Sequence, residues 1–411
     1  GRWQFLAGLC AVPCCILTED HAAQLLPLPD VAHGTVCSRK VAPLLCPDGN
    51  QACLVFHSSG STGAPKTIVY SKPSLQTYLQ HQRILFERFP DAPGPEGLPG
   101  LTARLNVLPL AHFGGLSYCL QTLQAGRSLI LLNHYDTQQY ARVIVGSGTG
   151  FLLLVPGQLR ELLECRHLLH GHALQHCLVM GESASPGLLD RARQQLGVKV
   201  FSAYGMSECI TGLLHSPDMS GAMPAGSCGV HGFGEIKLVD SQGLESSTLG
   251  ELWVRNPTTG CCYLNPELNA RKYVDGWFRT GDCLYRDRQG YFFYQGRVDE
   301  LLVINGRNLY PREVEELMVA HEAVKSCLAR VFNAGGNMKL GMLVVLHSHQ
   351  QVSILELLDF YLACGAVFAT PNWIVFRPDL PRLPSGKHDR MQAAAVLEHD
   401  YSLHTHQHVV Q

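Results

Sequence analysis

Through the first 240 residues, short apolar bursts alternate with longer amphipathic stretches. Cys177-Leu178-Val179-Met180 has the length and content of a buried strand, and Gly181-Glu182-Ser183-Ala184 has the composition of a loop. Ser185 then offers a side-chain acceptor to the first backbone N–H groups of a helix. Pro186 suits the first helical position because its missing N–H costs nothing there. Leu188, Leu189, Ala192 and Leu196 recur at helical spacing, Gly197 supplies a stop, and residues 198–201 return to strand. Repeated strand–helix–strand units of this kind predict an α/β domain with a largely parallel sheet.

From 226 to 294 the texture changes to short β-like runs with Gly and Asp turns, which predicts a small β-rich subdomain. After Arg297 a further unit begins with a strand at 301–304. Tyr310-Pro311 opens a helix with Val314, Leu317 and Met318 on one face, and Ser353 with Glu356 forms a capping box for another helix ending near Gly365. The expected architecture is a large N-terminal α/β domain, residues 1–296, carrying the β-rich subdomain, followed by a smaller, mobile α+β C-terminal domain, residues 297–411. Gly146-Ser147-Gly148-Thr149-Gly150 reads as a plain turn, because a strand follows it where a dinucleotide loop would need a helix. The stretch 5–17 reads as a buried helix-to-strand passage, too short to span a bilayer. His404, His406 and His408 read as a solvated tail.

Composition narrows the function classes. Of 411 residues, 46% are apolar and 16% charged, enough to bury a large core, and the formal net charge is −2. No global attraction to nucleic acid or to an anionic membrane follows, so any bound anion must be held by local groups. The 16 cysteines are scattered without CxxC or zinc-like spacing, which predicts small buried hydrophobes in a reducing cytoplasm rather than a disulfide framework.

One segment carries candidate chemistry by itself. In Phe56-His57-Ser58-Ser59-Gly60-Ser61-Thr62-Gly63-Ala64-Pro65-Lys66 an apolar strand runs into a loop of glycines and hydroxyls that closes on a lysine. Glycines let backbone N–H groups approach a polyphosphate, hydroxyls donate hydrogen bonds, and the lysine adds a point charge. The spacing excludes a Walker A loop, and with it a P-loop kinase or NTPase; a Ser/Gly surface turn is the other reading. Tyr204-Gly205-Met206-Ser207-Glu208 follows a strand, where a loop presents aromatic, hydroxyl and carboxylate groups together. Phe278-Arg279-Thr280-Gly281-Asp282 places a carboxylate after a tight Gly turn, suited to clasping vicinal hydroxyls. Gly296-Arg297-Val298-Asp299-Glu300 opens the C-terminal unit, and Pro381-Arg382-Leu383-Pro384-Ser385-Gly386-Lys387 lies near its end.

In this order, from about Phe56 to Lys387, these segments resemble the adenylate-forming superfamily of acyl-CoA synthetases, peptide-synthetase adenylation domains and luciferases. The resemblance implies a phosphate loop of Ser58, Ser59, Gly60, Ser61, Thr62, Gly63 and Lys66. It implies further nucleotide contacts from Gly181, Glu182, Ala203, Tyr204, Gly205, Met206, Ser207 and Arg297, a ribose-binding Asp282 and a Mg2+-holding Glu208. Gly250-Glu251-Leu252 resembles the family's GEL segment. Asp299 becomes the hinge, Lys387 the catalytic lysine of adenylation, and Gly306 the lining of a pantetheine channel. The implied reaction joins a carboxylate to ATP, releases pyrophosphate, and passes the acyl group from the adenylate to a thiol, either CoA or the phosphopantetheine of a carrier protein.

Leu108-Pro109-Leu110-Ala111-His112-Phe113-Gly114-Gly115 resembles the segment beside the acyl pocket, with His112 either gating the carboxylate or held by backbone contacts. The absence of an aspartate between 105 and 117 disfavours an amino acid and favours a fatty or aromatic acid. The phosphate loop begins early and Gly1 opens the chain, so the N-terminal domain is expected to be shortened or to resemble the compact end of the family, such as the o-succinylbenzoate–CoA ligases. Asn305-Gly306-Arg307-Asn308-Leu309-Tyr310-Pro311 looks like the version in fatty-acyl-AMP ligases, which load an acyl-carrier protein. A stand-alone acyl-AMP ligase and a catalytically weak acyl- or nucleotide-binding relic therefore remain as alternatives.

Overall fold

Four-residue apolar runs are too short for buried helices, and each is followed by an amphipathic stretch able to cover it, the pattern of a parallel sheet buried on both faces. A computed structural model describes residues 15–17, 23–25, 52–58, 66–86, 103–110, 112–125, 127–132, 135–182, 184–215, 223–232, 234–256, 262–304, 307–334, 336–364, 369–382 and 388–406. Strands β1 (Cys15–Leu17) and β2 (Ala23–Leu25) pair antiparallel, as do β3 (Ala52–Ser58) and β4 (Lys66–Ser71), which sets Ser58 opposite Lys66. Helix α1 (Lys72–Phe86) follows.

The parallel sheet is built from β5 (Ala103–Asn106), α2 (Phe113–Gln124), β6 (Ser128–Leu131), α3 (Thr137–Ser147), β7 (Phe151–Leu154), α4 (Pro156–Glu164), β8 (His176–Val179), α5 (Pro186–Leu196) and β9 (Lys199–Ser202). Its strand order is β6-β5-β7-β8-β9, every pairing parallel. Leu105, Leu152, Leu154, Val179 and Val200 meet Ile144, Leu159, Leu188 and Ala192 in one core. Helix α5 starts and stops as the sequence predicts: Ser185 Oγ accepts from the Leu188 N–H at 3.4 Å, and Gly197 caps the end in a left-handed conformation.

The second sheet comprises β10 (Tyr204–Met206), β11 (Cys209–His215), β12 (Ser227–His231), β13 (Glu235–Val239), β14 (Glu245–Ser246) and β15 (Leu249–Arg255). Then β16 (Cys262–Tyr263) leaves it to pair with β4, α6 (Pro266–Lys272) follows, and β17 (Tyr273–Val274), β18 (Trp277–Arg286) and β19 (Phe292–Arg297) complete it. The order is β10-β11-β12-β19-β18-β15-β13-β14, with β17 beside β18. The β-rich region therefore begins at Tyr204 rather than at 226.

In the C-terminal unit, β20 (Leu302–Ile304) and β21 (Arg307–Leu309) form a hairpin, followed by α7 (Pro311–Val319), β22 (Val324–Ala334), β23 (Asn337–Leu346), α8 (Ile354–Ala363), β24 (Trp373–Phe376) and α9 (Arg390–His406). The sheet β22-β23-β24 packs against α7 and α8 on one side and α9 on the other.

Four local expectations are corrected. Gly146 and Ser147 close helix α3, and the turn begins only at the left-handed Gly148, because the helical hydrogen-bond ladder outlasts the apolar pattern. Tyr204–Met206 is a strand rather than a loop, since β11 pairs with it. Phe278 to Asp282 lies within the long strand β18, where Gly281 (φ 79°) makes an internal kink opposite a register shift in β15 rather than a turn. His404 and His406 belong to α9, and the exposed His404 ring contacts the Asp400 carbonyl one helical turn back. His408 and residues 5–14 lie outside the described residues. Among those described, no helix is long and apolar enough to cross a membrane, and the buried described cysteines include Cys119, Cys177, Cys209, Cys283 and Cys327.

Candidate active site

Ligands of open α/β sheets bind at the carboxyl ends of the strands, where side chains and loop backbones are free of the ladder. Here the carboxyl ends of β8 and β9 deliver Gly181-Glu182 and Ala203-Tyr204 side by side, tied by the Ala203 N–H donating to the Val179 carbonyl at 3.2 Å. Tyr204 leads into the second sheet, and its hydroxyl donates to Asp282 Oδ2. Burial, followed by the Asp282 charge, pushes the Tyr204 phenol well above its ordinary pKa, so the proton stays available for this bond. Gly205, Met206 and Ser207 follow, half-buried, and lead to Glu208.

Asp282 is buried, and Arg297 Nη1 donates to its other oxygen at 2.9 Å. The same Nη1 reaches the Thr280 carbonyl at 3.0 Å, while Nε reaches Asp299 at 3.2 Å. Burial works against the Arg297 charge, but Asp282 and Asp299 outweigh it and hold the guanidinium above its usual range. A carboxylate offers about four lone-pair sites; Tyr204 and Arg297 fill two, which leaves Asp282 able to accept from two further hydroxyls.

The kink at Gly281 is held by Glu251 of β15. Its Oε1 accepts from the Gly281 N–H at 3.0 Å, and its Oε2 accepts from Trp253 Nε1 at 3.0 Å and from Arg279 at 3.0 and 3.2 Å. Glu251 thus fixes the backbone that aims Asp282. A Cβ at Gly281 would stand 2.6 Å from Arg297 Nη2 and 2.9 Å from Lys272 Nζ, so only glycine fits.

Glu208 is buried, and Tyr263 Oη donates to it at 2.6 Å. Tyr263 is placed by β16 pairing with β4, opposite Ile68 and close to Lys66 at the start of that strand. Lys66, Arg271, Lys272, Arg279 and Arg297 line a cavity of about 280 Å³ together with Glu251, Asp299 and Leu268. Five cations face two carboxylates there, one of them already committed to Arg279. Burial, then Arg297 and Lys66, pull the Lys272 ammonium below the usual lysine range, while Glu251 and Glu208 act in the opposite sense. Such a lining attracts a polyanion.

The C-terminal unit closes on the other end. The His388 N–H donates to Glu182 Oε1 at 2.9 Å, and Arg382 stands against Gly157 at the start of α4. Arg382 and His388 form a β-bridge. His112 is the N-cap residue of α2; its neighbour Phe113 packs edge-on against Phe56 of β3 at 5.4 Å, which sets it near β3. Asp299 sits in the short turn between β19 and the C-terminal unit.

The structure thus brings together Lys66, Tyr204, Glu208, Asp282 and Arg297 around one centre, with Gly181, Glu182 and Ala203 at its edge. Ser59, Gly60, Ser61, Thr62, Gly63, Gly306, Lys387 and the Ser58 side chain lie outside the described residues. The sequence reading missed Tyr263, Lys272 and Arg279 and assigned Glu251 no task. Tyr263 follows two cysteines read only as core, and nothing in its spacing announces a partner 55 residues away. Among the described residues no group of three or more His, Cys, Asp or Glu side chains could hold a metal ion. Glu208 alone suits Mg2+, which is commonly held by one or two carboxylates plus substrate phosphates and water.

A parallel sheet whose last strand leads into an antiparallel sheet that supplies the carboxylates, with an α+β unit bonded to the carboxyl end of the first, defines the adenylate-forming class of fold. The AMP-binding enzyme family model matches residues 10–264, and the chain belongs to that family. It is 26% identical over 356 residues to the 2-succinylbenzoate–CoA ligase of Listeria innocua, covering 85% of this chain and 72% of the relative. The 2-succinylbenzoate–CoA ligase of Enterococcus faecalis is 28% identical over 341 residues, covering 81% and 67%. The structure of O-succinylbenzoate Coenzyme A Synthetase (MenE) from Bacillus subtilis in complex with AMP matches with a TM-score of 0.70 at 26% identity, covering 84% of this chain and 69% of that one. ATP-bound MatB from Rhodopseudomonas palustris shares the fold, with a TM-score of 0.75 at 22% identity, covering 86% and 69%.

Proposed function

We propose that this chain is an AMP-forming acid–thiol ligase that activates a carboxylic acid with ATP and transfers the acyl group to CoA. The observation that carries the proposal is that Lys66 and Arg297 line one cationic cavity while Asp282 is paired to Arg297 and Glu208 is held by Tyr263, whose strand pairs with that of Lys66. In the first step a carboxylate oxygen bonds to the α-phosphorus, the bond from that phosphorus to the bridging oxygen breaks, and the electron pair leaves with pyrophosphate. Lys66 and Arg297 offset the charge that accumulates on the departing group. Asp282 accepts from the ribose hydroxyls, and Tyr204 and Arg297 hold it still. Glu208, oriented by Tyr263, would hold Mg2+, which supplies charge screening when bound with ATP.

Lys387 is proposed to reach the reacting carboxylate from the C-terminal unit. Support comes from its chain neighbour His388, anchored on Glu182 at the nucleotide edge. We propose the domain boundary at 296/297, beside the last residue of β19, with Asp299 as hinge between the two half-reactions. The two ligases and MenE named above join succinylbenzoate to CoA, so an aromatic acid is favoured here over a fatty one, and CoA over a carrier protein. Buried thiols such as Cys177 and Cys327 suit a reducing cytoplasm.

The deciding experiment supplies ATP, Mg2+ and labelled pyrophosphate with a panel of aryl, fatty and dicarboxylic acids, and then adds CoA. Exchange of label into ATP that requires an aromatic acid, followed by thioester formation, is expected. Exchange independent of any acid would overturn the reading.

A further inference from the structure

Lys272 occupies an unusual position for a lysine. It ends the short helix α6, whose start is capped by Asn265 and whose Asn269 exchanges two hydrogen bonds with the Tyr263 backbone, at 2.7 and 2.6 Å. The helix is thereby bolted to the strand that presents Tyr263 to Glu208. From there Lys272 Nζ turns inward, donates to the Arg279 carbonyl at 3.1 Å, and lines the cationic cavity. No carboxylate among the described residues pairs with it. An ammonium carries three protons, and the Arg279 carbonyl takes one.

Arg297 is in a matching state. Its Nη1 and Nε are committed to Asp282, Thr280 and Asp299, whereas Nη2 has no hydrogen bond among the described residues. Both uncommitted donors converge on the space above Gly281, at 2.9 Å for Lys272 and 2.6 Å for Arg297 from the point where a Cβ would be. Two like charges brought this close in a partly dry site repel, and the cost is recovered when an anion bridges them. Burial is the main cause that lowers the lysine pKa, and repulsion from Arg297 and Lys66 adds to it.

We propose that Lys272 is a phosphate-binding residue which, with Arg297, holds the oxygens of the terminal phosphoryl groups of ATP, the part that leaves as pyrophosphate. The inference rests on the ATP-dependent reading above and adds a task for a residue outside the segments that marked the site in the sequence. It also separates ligands. Pyrophosphate and ATP carry the group that Lys272 grips, and AMP does not.

The test uses the full chain with Lys272→Met and Lys272→Gln, the latter keeping a neutral donor for the Arg279 carbonyl. Binding of Mg2+-pyrophosphate and of AMP is measured by calorimetry, alongside the KM for ATP and kcat in acid-dependent exchange and the thermal midpoint. Both variants are expected to bind pyrophosphate about tenfold more weakly or worse, since a charge-assisted bond is lost. KM for ATP rises in parallel, AMP affinity and the midpoint stay within error, and Lys272→Arg restores most of the loss. Unchanged pyrophosphate affinity overturns the proposal. So does an equal loss of AMP and pyrophosphate affinity with a lowered midpoint, which would make Lys272 a structural end to α6. Failure of the wild-type chain to exchange label would instead sink the ligase reading, while the two calorimetric affinities still decide the role of Lys272.

Discussion

At the phosphate end of the site, Lys66, Lys272, Arg279 and Arg297 come from three strands and one helix, and the carboxylate partners of Arg279 and Arg297, Glu251 and Asp282, are in the same sheet as they are. At the nucleotide edge, by contrast, Glu182 meets the His388 N–H 206 residues further along, in the C-terminal unit. The first end is preorganised before any ligand arrives, because its ion pairs form as the sheet folds. The second is complete only when the C-terminal unit lies against the N-terminal one. On the function proposed above, charge stabilisation is built into the N-terminal sheets, and the component that changes between half-reactions belongs to the C-terminal unit.

Four measurements would break or sharpen that contrast. The largest effect is expected at the movable end: Lys387→Ala should slow adenylation by ~10²–10³, about 2.7–4 kcal/mol of transition-state stabilisation. Thioester formation from a presynthesised adenylate should be spared, and equal loss in both steps would deny the division of labour. Next comes the rigid end. Asp282→Ala leaves a mostly buried Arg297 and the Tyr204 hydroxyl without their shared partner, so unfolding in denaturant should show a loss near the lower end of the roughly 3–5 kcal/mol typical for a broken buried pair. AMP binding should fall with it; an unchanged unfolding midpoint would mean that the pair is not preformed.

Tyr263→Phe removes one hydrogen bond to a charged group, worth about 1.5–3 kcal/mol. A raised Mg2+ requirement with little change in KM for the acid is expected from titrations of the adenylation rate. The smallest effect concerns pH. Burial holds the His388 imidazole below its ordinary value of 6.5, with Glu182 pulling the other way. Closure should be unaffected above that value and disfavoured as pH falls through it, because the open form takes up a proton that the closed form resists. The adenylation rate should therefore decline on the acid side, and His388→Asn should flatten that limb.

How much of this was legible beforehand varies by element. Helix α5 was readable residue by residue, from the Ser185 cap to the left-handed Gly197, because capping and periodicity are local. The phosphate-loop lysine, Asp282 and Glu208 were marked by their segments, and the family match bears out the adenylate-forming resemblance. The second sheet was placed 22 residues late, since Tyr204–Met206 becomes a strand only through pairing with β11. Gly281 looked like a turn because a glycine before an aspartate has the same signature in a turn and in a kinked strand.

What the sequence determined by itself was the alternation of strand and helix that makes a parallel sheet, the two ends of helix α5, and the residue types able to hold a nucleotide. These depend on spacing within a dozen residues, where propensity and side-chain periodicity act. Tertiary structure alone decided that Tyr263 would steady Glu208, that Glu251 would prop the Gly281 kink, that Lys272 would join the cations of the cavity, and that His388 would meet Glu182. Each of these contacts joins residues distant in the chain or turns a side chain inward from a helix end. Its energy comes from burial and charge, which no linear spacing encodes.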